Sequence, residues 1–364
     1  MMASAGHVDP LLAEVWGLAG TDLLLTTGSP PLVRIDGTLR SLAQHPVLAP
    51  GDVERLVVSV LGARLAETFE ESKQVDFAFS WRDTARVRGN AFRQRGTTAL
   101  ALRIIPFAIP TFEELRTPTV VRQWGMLPKG FVLVTGPTGS GKSTTLAAMV
   151  DYINTHRAIH IITIEDPIEY LHHHKRSAVN QREVGVDTES FASALRSALR
   201  EDPDVVLVGE MRDPESIQAA LTIAETGHLV LATVHTNDTA QTLDRIVDVF
   251  PSSQQPQVRL QLTHTLVGIL NQALVPRISG GRVAAYEVLV ATHGIRNLIR
   301  EGKTRQIRNL VATGQRDGMQ TLEASLTDLV ARGVVSYEEA LLSTLHAEDV
   351  KPPVSVGMAA RPNR

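Results

Sequence analysis

The sequence predicts an α/β protein preceded by a small N-terminal α+β part, and three observations carry that expectation. Short apolar runs at 131–134, 205–208 and 228–235 (FVLV, VVLV, HLVLATVH) each end in a polar turn, as buried strands of a parallel sheet do. A glycine-rich loop at 136–141 separates the first run from an amphipathic stretch, in the order strand, loop, helix. Upstream, VDFAFSW, ARVRGNAFRQ and TALALRIIP read as consecutive antiparallel strands.

Along the chain, Leu11, Leu12, Val15, Trp16 and Ala19 recur at helical spacing, with Gly20 as the C-cap. TDLLLT and PPLVRIDGTLR follow, where Asp36-Gly37 between apolar stretches signals a two-residue hairpin. Helical segments start near Asp52 and Arg64, ahead of the three strands. Pro106 and Pro110 then bracket FAI, and TFEELRTPTVV lacks strand alternation, as a linker would. The expected division is therefore a domain at 1–107, a linker at 108–118 and an α/β domain at 119–345 that turns helical beyond Leu289. Residues 346–364 end in a Pro- and Gly-containing stretch and read as a disordered tail.

Composition narrows the function. With 364 residues and 43% hydrophobic content, the chain can bury a core in each of two domains. A net charge of −3 gives no basic footprint for nucleic acid, and 4% aromatics offer few platforms for stacking bases. The absence of cysteine excludes disulfides and thiolate zinc sites and suits a reducing cytosol. No secretory signal is evident, and no apolar run approaches the ~18 residues that span a bilayer, so membrane association is expected to be peripheral only.

The chemistry concentrates at GPTGSGKST, a G-x-x-x-x-G-K-[ST] match in strand–loop–helix context: Gly136, Pro137, Thr138, Gly139, Ser140, Gly141, Lys142, Ser143 and Thr144. The glycines let backbone N–H groups turn inward, and the helix N-terminus adds its positive dipole end. This suits the triphosphate of ATP, with Lys142 as the cation for the β and γ phosphates and Ser143 as a ligand of Mg²⁺. Hydrolysis further needs a carboxylate for the metal and a group for the attacking water, and parallel sheets present such groups at the carboxyl ends of strands. Glu210, after VVLVG, is assigned to Mg²⁺ and Glu165, after IITI, to the water, with Asp166 and Glu169 as nearby alternatives. His228 and His235 flank LVLATV, and seven steps of ~3.3 Å set them about 23 Å apart. His235, at the carboxyl end, is the candidate γ-phosphate sensor, while His228 suits a structural or intersubunit role. His172, His173 and His174 do not share a face in a helix or strand, and read as a solvated turn rather than a metal site.

These residues resemble the secretion ATPases, and within them the PilT-like type IV pilus retraction ATPases. GPTGSGKST is similar to their Walker A motif, TIEDPIEY to their Asp box, VVLVGEMRD to their atypical Walker B and GHLVLATVHTND to their His box, from about Leu11 to Leu342. The resemblance implies a PAS-like N-terminal domain, a RecA-like P-loop NTPase domain and a homohexameric ring binding ATP at domain and subunit interfaces. It implies phosphate contacts from Arg88 and Arg103, with Arg86 a weaker third. It also implies a cytoplasmic protein, peripheral at the cytoplasmic face of the inner membrane, with an inner-membrane pilus platform protein as partner. Asp22-Leu23-Leu24-Leu25 and Gly89 depart from the family pattern. Assembly and type II secretion branches commonly carry a four-cysteine zinc insertion that this chain lacks, while Gly294–Glu301 resembles a retraction motif. A helix there would bury Ile295, Leu298 and Ile299 and offer Arg296, Asn297, Arg300 and Glu301 to a partner. The expected function is a motor powering pilus retraction and twitching. The alternatives are a pilus assembly or type II/IV secretion ATPase, a nucleic-acid translocase, or a slow nucleotide-gated regulator.

Overall fold

The computed structural model describes residues 6–353, and the chain divides into two compact units that interleave in sequence. The first comprises residues through Ile109 together with Glu165–His173 and Gln181–Thr188; the second comprises Pro110–Ile164, His174–Asn180 and the chain from Glu189 onward.

In the first unit, α1 (Asp9–Gly17) leads into β1 (Asp22–Thr26), β2 (Leu32–Ile35) and β3 (Thr38–Ser41); α2 (Pro50–Ser72) then precedes β4 (Gln74–Trp81), β5 (Ala85–Gln94) and β6 (Thr97–Pro106). The sheet is antiparallel throughout, in the order β3-β2-β1-β6-β5-β4. Asp36 and Gly37 take positive φ values of 47° and 82° at the β2–β3 turn, the backbone that a tight hairpin demands. The two helical segments expected here are both present within α2, separated by a kink at Gly62, whose φ of 68° is non-helical. One sheet face buries Leu23, Leu25, Phe77, Phe79, Trp81, Val87, Leu100 and Leu102 with Val57 and Leu61 of α2. Each such side chain contributes about 1.5–3 kcal/mol. At Gly89 a Cβ would stand 2.3 Å from the Phe77 ring, so the ring packs directly on the β5 backbone. On the other face, Asp22, Arg103 and Arg88 are direct cross-strand neighbours on β1, β6 and β5.

The second unit opens with α3 (Phe112–Leu115) and α4 (Thr119–Gly125). The α3 helix starts on a capping box, in which Thr111 Oγ1 accepts from the Glu114 N–H and Glu114 accepts from the Thr111 N–H. There follow β7 (Gly130–Thr135), α5 (Lys142–His156), β8 (His160–Glu165), β9 (Ala178–Glu183), α6 (Phe191–Ala198), β10 (Val205–Val208), α7 (Pro214–Glu225), β11 (Leu229–Val234), α8 (Thr239–Asp248), α9 (Gln255–Thr265), β12 (Leu266–Pro276) and β13 (Arg282–Val290). The seven strands run in the order β13-β12-β7-β11-β10-β8-β9. The neighbours from β12 through β8 pair in parallel, and β13 is antiparallel to β12. Strands β7, β10 and β11 are buried along their whole length, which is why they read as unbroken apolar runs. The fold is thus the mixed α/β architecture that the sequence predicts.

After β13 come α10 (His293–Glu301), α11 (Ile307–Thr313), α12 (Leu322–Ala331) and α13 (Tyr337–Leu342). Two expectations are corrected in this region. Arg296 does not join the offered face of α10. Its guanidinium turns inward to donate to the carbonyls of Ala291 (2.8 Å), Leu266 (2.7 Å) and Thr263. Thr263 is in the last turn of α9 and Leu266 is its C-cap, so the cation supplies donors where a helix end leaves carbonyls without intrahelical partners. The second correction concerns the tail expected from 346. Ala347–Asp349 form a 3₁₀ turn, and Val350 is buried against Leu322, Leu326 and Leu329. The rest of the expected tail, 354–364, lies outside the described residues. Among the described residues no helix is long and apolar enough to cross a membrane.

Candidate active site

The phosphate loop leaves the carboxyl end of β7 and ends on α5. At Gly136, where φ is 140°, a Cβ would lie 2.3 Å from the Gln272 carbonyl, so only glycine fits. Gly141, with φ of 90°, begins α5 with no side-chain cap, and this 15-residue helix turns the positive end of its dipole toward the loop. Lys142 is 7% exposed, and its Nζ donates to the carbonyls of Gly136 and Pro137 at 3.0 Å each.

The same ammonium lies 3.3 Å from His235 Nδ1, at the end of β11, and His235 Nε2 lies 3.2 Å from Glu210 Oε1, just beyond β10. An ammonium can only donate, so Nδ1 accepts and the Nε2–H donates to the carboxylate; the contacts select one neutral tautomer. Burial and the charge of Lys142 push the His235 pKa down, against the opposing pull of Glu210. Burial alone would raise the Glu210 carboxyl. The Arg212 hydrogen bonds, His235 and Lys142 outweigh it and hold Glu210 below its ordinary value. Lys142, His235 and Glu210 thus form one chain of contacts across three adjacent strand ends. A cavity of about 510 Å³ opens beside it, lined by Pro137, Thr138, Glu210, Arg212, His235, Asn237 and Arg245. The uncapped helix, inward-turned loop and buried cation fit a polyphosphate. Exposed Ser143 and ionised Glu210 are the hard oxygen donors that Mg²⁺ takes.

His228, at the opposite end of β11, bonds instead to the Ile223 carbonyl (3.0 Å) and Thr226 Oγ1 (3.1 Å). His174 Nδ1 accepts from the Val179 N–H.

Glu165, Asp166, Glu169, Arg86, Arg88 and Arg103 fall in the first unit. Glu165 is the last residue of β8 and so lies at the carboxyl end of its own strand. Glu165 Oε1 accepts from Gln181 Nε2 at 3.1 Å. Arg88 faces Glu169 at 3.9 Å, Arg86 faces Glu183 at 3.5 Å, and Arg103 Nε donates to Asp22 at 2.8 Å.

Sequence reasoning missed the polar supports on β12. Buried Gln272 donates to the Ser140 carbonyl (2.6 Å) and accepts from Thr145 Oγ1 (2.9 Å), bracing the end of the loop and the first turns of α5. Buried Asn271 donates to Thr135 Oγ1 and to the Thr236 carbonyl, 3.1 Å each, tying β7 to the turn after His235. Their signal was present: two consecutive amides interrupt the apolar run LVGILNQALV.

A loop and sheet built in this way make the chain a P-loop NTPase. Residues 111–280 match the family model described as type II/IV secretion system protein. The chain is 49% identical over 333 residues to the type IV pilus retraction ATPase PilT of Pseudomonas aeruginosa, covering 92% of this chain and 96% of that relative. It therefore belongs to the PilT-like family of secretion ATPases. It is also 47% identical to a twitching motility protein of Neisseria gonorrhoeae, over 88% of this chain and 86% of that one. The crystal structure of the pilus retraction motor PilT with bound ADP matches with a TM-score of 0.84 at 49% identity, covering 94% of this chain and 98% of that one.

Proposed function

We propose that this chain is a Mg²⁺-dependent, homohexameric ATPase motor that powers type IV pilus retraction and twitching motility. The observation that carries hydrolysis is the chain of contacts from Lys142 through His235 to Glu210, which joins the phosphate cation to an ionised carboxylate. Retraction is supported by similarity along nearly the whole length of a retraction ATPase. In this reading residues 1–107 are a PAS-like domain, 119–345 a RecA-like ATPase domain and 108–118 the link between them.

Gly136–Thr144 hold the triphosphate, and Lys142 balances charge on the β and γ oxygens. Ser143 and Glu210 would hold Mg²⁺, which would supply positive charge to offset that of the phosphate oxygens. Glu165 orients the attacking water, and neutral His235 reads the γ-phosphate through the hydrogen bond it shares with Lys142. Arg88 and Arg103 serve the site of a neighbouring subunit, Arg86 beside them. The motor works at the cytoplasmic face of the inner membrane against a pilus platform protein. Lys142→Ala should abolish ATP turnover in the purified protein and twitching in cells, with folding intact by circular dichroism. Near-normal hydrolysis by that variant would refute the reading.

A further inference from the structure

Gln181, half-buried on β9, uses both ends of its amide. Nε2 donates to Glu165 Oε1 at 3.1 Å and to the Tyr170 carbonyl at 2.9 Å, while Oε1 accepts from the His172 N–H at 2.8 Å. Two further contacts hold the same loop to the β9 segment. Glu183 accepts from the Ile168 N–H at 3.1 Å, and the Val184 N–H donates to the Glu165 carbonyl at 2.9 Å. The segment 165–172 is therefore fixed at both the carboxylate and the carbonyl of Glu165, and at three points beyond it.

We propose that Gln181 is a positioning residue that sets the orientation of the Glu165 carboxylate for the attacking water, an inference that rests on the role given to Glu165 above. The geometry of the clamp carries it. A single amide holds the Glu165 carboxylate and, at the Tyr170 carbonyl and the His172 N–H, the loop that follows it, so the rotation of the carboxylate is tied to β9. Orientation of this kind matters to rate more than to affinity, because misplacement by about 1 Å can cost ~10²-fold in turnover.

The test measures kcat and KM for ATP from pH 6 to 8 in the full-length protein and in Gln181→Ala, Gln181→Glu and Glu165→Gln. Gln181→Ala should lower kcat by roughly ten- to a hundredfold with KM unchanged. Gln181→Glu is the sharper probe. Ionised, its carboxylate cannot donate and repels Glu165; protonated, it donates again. Its rate relative to the unaltered protein should therefore rise as pH falls. The other charged groups around the clamp, Glu183 with Arg86, Glu169 with Arg88, and Arg182, are the same in every variant, as is His172, so the ratio isolates position 181. A constant ratio across pH, or an Ala variant with normal kcat, overturns the proposal. If Gln181→Ala does not fold, the pH ratio of Gln181→Glu decides alone. Glu165→Gln separates the two ideas: if it retains turnover, the role of Glu165 falls and this inference with it. If it loses turnover while both Gln181 variants behave normally, only this inference falls.

Discussion

Glu287 lies on β13 directly across from Asn271 and accepts a 2.6 Å hydrogen bond from Thr239 Oγ1. Burial pushes its carboxyl up to about 7, against the Thr239 hydrogen bond, with Asp238 and Glu323 adding to the rise. The unfolded chain ionises this group near 4.5, so between pH 4.5 and 7 the folded state binds more protons and stability falls as pH rises. Glu287→Gln should raise the Tm relative to the unaltered protein at pH 8, by an amount corresponding to at most about 3 kcal/mol. That gain should vanish by pH 4.5; a thermal melt series with a pH-independent difference would contradict this. His235 gives a second pH signature. Its imidazole must stay neutral to accept from Lys142, and its lowered pKa keeps it so at pH 7. ATP turnover should persist down through pH 6.5 and fall on further acidification, and His235→Ala should be slow but lack that acid limb. An unchanged limb in the variant would assign it to another group.

At the scale of elements, α10 was legible as a helix but not in the use of its faces. Ile295 and Ile299 are buried as their spacing requires, and Thr292 caps the N-terminus, yet Arg296 has turned inward onto three carbonyls. Burial pushes its guanidinium pKa down, the opposite of what a solvated partner-gripping arginine would show. Arg296→Ala should therefore destabilise the protein by roughly 2 kcal/mol or more, because carbonyls that the side chain now satisfies would lose their donors. Arg300, exposed on the same helix, should cost no more than about 0.5 kcal/mol on truncation. Chemical denaturation of the two variants checks this; equal effects would mean the inward hydrogen bonds carry no weight. A periodic pattern reports which side chains are apolar, and a long cation with an apolar stem can satisfy either face.

For the whole molecule, the proposed assembly makes the arginines of the first unit a test of subunit cooperation. Arg88 and Arg103 are adjacent across β5 and β6, each beside a carboxylate of its own unit, Glu169 and Asp22. Arg88→Ala and Arg103→Ala should lower kcat by on the order of 10³ to 10⁵, the range for arginine fingers, with far smaller effects on nucleotide affinity. Mixing Arg88→Ala with Lys142→Ala subunits should recover part of the activity, since one retains the loop and the other the arginine. Mixtures as inactive as their components, together with a monomer by light scattering in ATP and Mg²⁺, would refute sites shared between subunits.

The order of elements, the phosphate loop and the acids at strand ends were legible from residue order, because each depends on neighbours within a few residues. Asp36-Gly37 dictates its turn, FVLV its buried strand, and Gly136 and Gly141 the curl of the loop, whatever the rest of the chain does. The tertiary structure alone decided what those pieces meet. Gln272 reaches the end of the phosphate loop and Asn271 the last residue of β7, each across more than 120 intervening residues, His235 becomes the link between Lys142 and Glu210, and Gln181 grips Glu165. The same is true of the fate of Arg296. These contacts are hydrogen bonds between side chains distant in sequence, whose partners are set by strand order and register. Local pattern and turn chemistry say which face a residue lies on, but not which distant strand will stand beside it.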